Sequence, residues 1–150
     1  MFIAKNNDLI VLAKDTEEEL MNALDFLNYT SIEETEKEYQ FYDGEFLTSN
    51  EIEKIEAQKE QERIANLNLT KADFWIALLD GGITKAMVKE KIELIPDETL
   101  KAKTLIRLDE ADHFWRRDPS IDIIGAMFGL TSDELTYLFE NKKLMPKEEN

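Results

Sequence analysis

The sequence predicts an α+β chain. It should comprise a small N-terminal unit of β-hairpins and one helix, a charged connector helix, and a C-terminal all-α bundle of about five short helices. Three observations predict this. Up to residue 48 the apolar residues come in short runs or alternate. From 51 to 66 charged helix formers follow one another with almost no apolar face. Beyond Leu69 apolar residues recur at helical spacing between capping residues.

Phe2-Ile3-Ala4 and Leu9-Ile10-Val11-Leu12 flank the turn cluster Asn6-Asn7-Asp8, the pattern of a hairpin. Asp15 is placed as an N-cap, with Glu18 three residues on. Leu20, Met21, Ala23, Leu24 and Leu27 then give an amphipathic helix over 16–27. Residues 30–36 and 38–42 alternate. Asp43-Gly44 is the strongest hairpin signal in the chain, and Phe46-Leu47 continues its second arm. Residues 1–48 therefore form a small unit, with two or three antiparallel strands after the helix. Its core is thin for independent stability.

Ser49 or Asn50 is expected to cap the connector helix, and the linker spans 49–69. Its turn from Glu56 to Arg63 has only Ala57 as an apolar residue. A helix polar all round crosses solvent between domains or joins an assembly. Connector is the leading reading, and a homo-oligomer through the 51–66 helix is the alternative. From 70 to 141 five helices are predicted. Thr70 starts one with core face Phe74, Trp75, Ala77 and Leu78, ending at Gly81-Gly82. Thr84 starts one with Met87, Val88, Ile92 and Ile95. Asp97 opens a long third with Leu100, Leu105, Ile106, Leu108, Ala111, Phe114 and Trp115, broken by Asp118-Pro119. Residues 119–129 and 131–140 complete the set, the last with a Thr131/Glu134 capping box. Residues 142–150 read as a frayed tail.

The net charge of −15 is uneven. Residues 1–69 hold 6 Lys/Arg against 17 Asp/Glu, or −11; residues 70–150 hold 12 against 16, or −4. Such a surface repels phosphate, so direct nucleic-acid binding is not expected, and it attracts basic partners. There is no cysteine, which removes thiol catalysis and thiolate metal sites. The N-terminal apolar runs are too short for a signal peptide or a membrane span.

Chemistry-bearing motifs are few. Helix, Gly129-Leu130-Thr131 turn and helix imitate a DNA-reading motif, with Ala126 and the turn glycine suited to close packing. The second helix begins Ser132-Asp133-Glu134, which phosphate would repel. Asp109, Glu110, Asp112 and His113 resemble a ligand cluster, but His113 is the only histidine and a metal would need another carboxylate. Solvated-face packing is the plainer reading of both. No catalytic residue, metal or cofactor is expected. Trp115, Arg116 and Arg117 lie at a predicted helix end, where arginine answers the macrodipole; Trp and Arg are also the residues enriched at binding hot spots. Tyr29, Tyr39, Phe41, Tyr42 and Phe46 crowd the hairpin unit. Core packing accounts for most of them, and an exposed aromatic edge among acids would accept a partner strand. Glu33, Glu34, Glu36 and Glu38 lie in a segment, 15–45, with eleven acids and one base, Lys37.

The segments YDGEFLTSNEI, EQERIANL, LNLTKADFWIALLDGGIT and LIRLDEADHFWRRDPSIDIIGAMFGLTSDELTYLF carry a resemblance over residues 39–140. In that order they are similar to small proteins encoded in the tail modules of tailed bacteriophages and prophages. There a Tyr-Asp-Gly-Glu hairpin precedes a charged helix, and a Glu-Arg-Ile-Ala-x-Leu segment leads into a helical domain. The Phe-Trp-Arg-Arg-Asp-Pro stretch departs from the Tyr-Arg-Gly-Asn-Pro type of those proteins. The resemblance implies a protein of the bacterial cytoplasm or the virion that binds a phage structural protein as a tail component or assembly helper, and the lack of a catalytic constellation makes a non-enzymatic role the expectation. The acidic segment suggests an alternative, an anti-defence inhibitor that mimics nucleic acid in the groove of a basic host nuclease. On either reading the partner-binding residues are drawn from Trp115, Arg116, Arg117, Glu33, Glu34, Glu36, Glu38 and Tyr42.

Overall fold

The structure, a computed structural model, describes residues 1–24 and 27–147. Among them it is a mixed α+β chain with seven helices and three small antiparallel sheets. The chain divides into two compact units, Met1–Glu60 and Gln61–Asn150.

In the first unit, β1 (Phe2–Asn6) pairs with β2 (Leu9–Lys14) through a two-residue turn whose Asn7 has φ 55. A register shift between Ala4 and Lys5 kinks the pair. The next strand, β3 (Ser31–Glu34), returns to the other side of β1, giving the order β2-β1-β3. Between them α1 (Glu17–Ala23) is closed by Thr16, not Asp15. The Thr16 hydroxyl accepts from Glu19 N–H at 3.2 Å, and the Glu19 carboxylate accepts from Thr16 N–H at 3.3 Å. The predicted helix end at 27 passes through residues 25 and 26, outside the described residues. Helix α1 covers one sheet face, burying Leu20 and Leu24 against Ala4, with Phe2, Val11, Leu12 and Ile32 packed around them. The second hairpin, β4 (Tyr39–Tyr42) and β5 (Glu45–Thr48), turns on Asp43 (φ 48) and Gly44 (φ 86), the left-handed pair a tight hairpin needs.

Helix α2 (Ser49–Ala65) contains no buried residue, as its composition predicts. Its N-terminus is closed one residue earlier than expected. Thr48 donates its N–H (2.7 Å) and hydroxyl (3.0 Å) to the Glu51 carboxylate, and its Oγ1 accepts from Glu51 N–H at 3.4 Å.

The second unit differs from the all-helical expectation at one place. The long predicted helix stops early, so that α5 covers Glu98–Glu110, and His113–Trp115 forms a strand. That strand, β7, pairs with β6 (Asn68–Thr70), whose first two residues fall in the predicted linker 49–69. Leu69, at the centre of β6, is buried in the core against expectation for a spacer. The other helices are α3 (Lys71–Asp80), α4 (Lys85–Ile92), α6 (Pro119–Met127) and α7 (Ser132–Asn141). The expected caps Thr70, Thr84, Asp97 and Thr131 each accept a backbone N–H of the following turn. Phe74 anchors the core, with its ring 4.5 Å from Phe114, 5.2 Å from Trp75 and 6.2 Å from Phe139. Met87, Leu100 and Ile106, predicted inside, are exposed. The close approach between α6 and α7 falls at Gly125, where a Cβ would sit 2.6 Å from Leu135 Cδ1; Ala126 faces solvent. Past α7, Leu144 packs on the core; the last three residues of the predicted tail, 148–150, lie outside the described residues. No helix among the described residues is long and apolar enough to cross a membrane.

Candidate protein-interaction surfaces

The outer face of the second unit is organised by β7. Side chains alternate along a strand, and the alternation continues past its end. Phe114 is buried, Trp115 is 37% exposed, Arg116 is 7% exposed, and Arg117 is exposed again. Arg116 N–H donates to Leu67 carbonyl at 2.9 Å, which extends the ladder and sets that phase. The Arg117 guanidinium lies 4.4 Å over the Trp115 ring and donates to Asn66 Oδ1 at 2.7 Å. Asp118 turns the chain, accepts from Ser120 N–H at 2.9 Å as the cap of α6, and holds Arg107 at 3.2 Å. A shallow hollow of 300 Å³ lies among Arg107, Trp115, Arg117, Asp118 and Pro119. A second, of 240 Å³, lies among Gln61, Ile64, Ala65, Arg116, Arg117 and Asp122. A stacked guanidinium on an indole loses little freedom on binding, so the pair is preorganised for contact.

Arg116 is placed differently from its neighbours. Its Nη1 donates to Asp122 at 2.9 Å and its Nε to Thr136 Oγ1 at 3.3 Å. Its Nη2 reaches Ser132 Oγ at 2.9 Å and the Ser132 carbonyl at 3.3 Å. It braces α6 to the first turn of α7 from inside. None of the three residues ends a helix, so the macrodipole argument for them does not apply.

In the first unit Glu33, Glu34, Glu36 and Glu38 are all exposed. Glu33 meets Lys5 at 2.5 Å, and the Lys5 ammonium is raised above 10.5 chiefly by that hydrogen bond. Phe41 stands 68% exposed, edge-on to Phe46 at 5.2 Å. Tyr42 is half-buried. Its ring lies under Lys59 Nζ at 5.1 Å, and its hydroxyl bonds Glu56 and accepts from Lys59 at 3.2 Å. That contact raises the Lys59 ammonium, and Tyr42 serves to seat the hairpin on α2.

The sequence cluster around His113 is dispersed. Asp109 lies in α5 and pairs with Lys89 at 3.1 Å, which holds its carboxyl below 3.8, while His113 lies in β7. Among the described residues no group of three or more His, Cys, Asp or Glu is arranged to hold a metal ion. Helices α6 and α7 are joined across Gly129-Leu130-Thr131 as expected, with Asp133 and Glu134 in the first turn of α7. Asn66, Arg107 and Lys5, which no sequence motif singles out, each position or answer a candidate residue. They lie 51, 11 and 28 positions from Arg117, Asp118 and Glu33, so no local pattern marks them. Comparison of the chain with protein-family models, curated proteins and solved structures found no match.

Proposed function

We propose that this chain is a non-enzymatic, phage- or prophage-encoded protein that works by binding another protein, as a tail component or assembly helper. Its architecture is read as an N-terminal α+β unit, a charged connector and a C-terminal helical unit. It acts in the bacterial cytoplasm or within the virion. The observation that carries the reading is the outward Trp115 ring with Arg117 stacked on it at 4.4 Å and steadied by Asn66. Aromatic and guanidinium groups presented together are the anchors of protein interfaces. The resemblance over 39–140 supplies the phage context.

The test is recovery of tagged protein from infected or lysogenic cells. A virion or assembly protein should co-purify, with modest dependence on salt. The W115A/R117A double substitution, which spares the inward Arg116, should cut recovery by roughly thirtyfold, as loss of about 2 kcal/mol implies. Unchanged recovery would remove this surface from the interaction.

The exposed acids of the first unit favour a second reading, mimicry of nucleic acid toward a basic nuclease. Binding would then be steeply salt-sensitive and abolished by E33Q/E34Q/E36Q/E38Q.

A further inference from the structure

The three-stranded sheet of the first unit ends on β3, and among the described residues no strand pairs with its far side. The phase of its backbone follows from one bond. Thr35 N–H donates to Met1 carbonyl at 2.9 Å, toward β1. Backbone groups alternate along an antiparallel strand, so Glu33 also faces β1, while Ile32 and Glu34 turn their N–H and C=O groups to the open side. Their side chains share one sheet face, Ile32 packing beside α1 and Glu34 exposed.

We propose that this edge accepts an extended basic segment of a partner protein as a fourth strand. It rests on the reading of the chain as a protein-binding molecule and names the partner's chemistry. Main-chain bonds would supply affinity and alternate side chains specificity. The occupant follows from charge. Lys5 answers Glu33 on the opposite face, which leaves Glu34 on the strand and Glu36 and Glu38 just beyond it. A second copy of β3 would set these acids against one another, the usual device that keeps edges from self-pairing. A strand with an apolar residue opposite Ile32 and lysines or arginines opposite Glu34 and Glu36 meets no such barrier.

The probe is a capped heptapeptide, TVTKTKT, added to the full-length protein labelled for amide NMR. At saturation, exchange of the Ile32 and Glu34 amides should slow by roughly tenfold or more, while the Glu33 amide, already bonded to β1, stays unchanged. E34Q should keep that protection at Ile32 with weaker, less salt-dependent binding. E34P removes the outward donor but none toward β1, and should abolish the protection with the fold intact by circular dichroism. Shift changes without slowed exchange would mean plain charge attraction; that overturns strand addition and leaves the protein-binding reading standing. No response to the peptide, or protection that grows with protein concentration alone, would also overturn it.

Discussion

Arg116 and Arg117 are chemically identical neighbours with opposite fates. Arg116 offers its guanidinium to Asp122, Thr136 and Ser132 inside the second unit, whereas Arg117 lies outside on Trp115. Removing Arg116 strands acceptors at the start of α7. Asp122 is 63% exposed at its side chain, so water compensates on that side. R116A should therefore destabilise the unit by about 2–3 kcal/mol, below the cost of breaking a wholly buried pair. R117A should cost under about 1 kcal/mol. Urea unfolding followed by tryptophan fluorescence separates them, and equal losses would contradict the assignment. Composition alone pointed to both arginines, because Trp and Arg together suggest a binding surface. Which one points outward depends on the phase of β7, and β7 exists only through pairing with β6, more than forty residues away.

At the scale of elements, features fixed by adjacent residues are legible in the sequence. The caps Thr70, Thr84, Asp97 and Thr131 lie next to the turns they close. The Asp43-Gly44 turn needs only its two residues. The strand His113–Trp115 is not legible locally, because three residues carry too little periodicity to oppose the apolar spacing of Leu105, Leu108 and Ala111 before them. Thr48 and Thr16 each stand beside another good capping residue, Ser49 and Asp15, so composition does not tell which one closes the turn. Helix α2 tests how far such local bonds reach, since none of its residues is fully buried. Glu51 is held below 4.5 chiefly by the hydrogen bond from Thr48 N–H. A carboxylate with a lowered folded-state pKa stabilises above its ordinary value and loses that contribution as pH falls through the folded one. Amide exchange in the first turn of α2 should thus quicken relative to its intrinsic rate as pH drops below about 4.5, the ordinary glutamate value. E51Q should remove that pH dependence. An equal response in E51Q would show the cap contributes nothing to it.

At the scale of the molecule, burial and charge are divided in opposite senses. The second unit gathers a continuous core from Leu69 to Phe139. The cluster beneath the first unit's sheet comprises Ala4, Leu20 and Leu24, with partly buried neighbours. Yet residues 1–60 hold 5 Lys/Arg against 16 Asp/Glu, or −11, and residues 61–150 hold 13 against 17, or −4. Self-repulsion of like charge destabilises a compact state and is screened by salt within about 10 Å at 0.1 M. The first unit therefore combines the smaller core with the larger repulsion, and should melt first. Both tryptophans, Trp75 and Trp115, lie in the second unit, so their fluorescence follows that unit while far-ultraviolet circular dichroism follows both. At low salt the dichroism should begin to fall before the fluorescence changes. Added sodium chloride should raise the early phase more than the late one and draw the two curves together. F74A, by excavating the second core at about 3–5 kcal/mol, should lower the fluorescence transition and leave the early phase in place. Coincident curves at every salt concentration would mean that the chain unfolds as one cooperative body, and that the acidic half draws stability from contacts beyond its own small core.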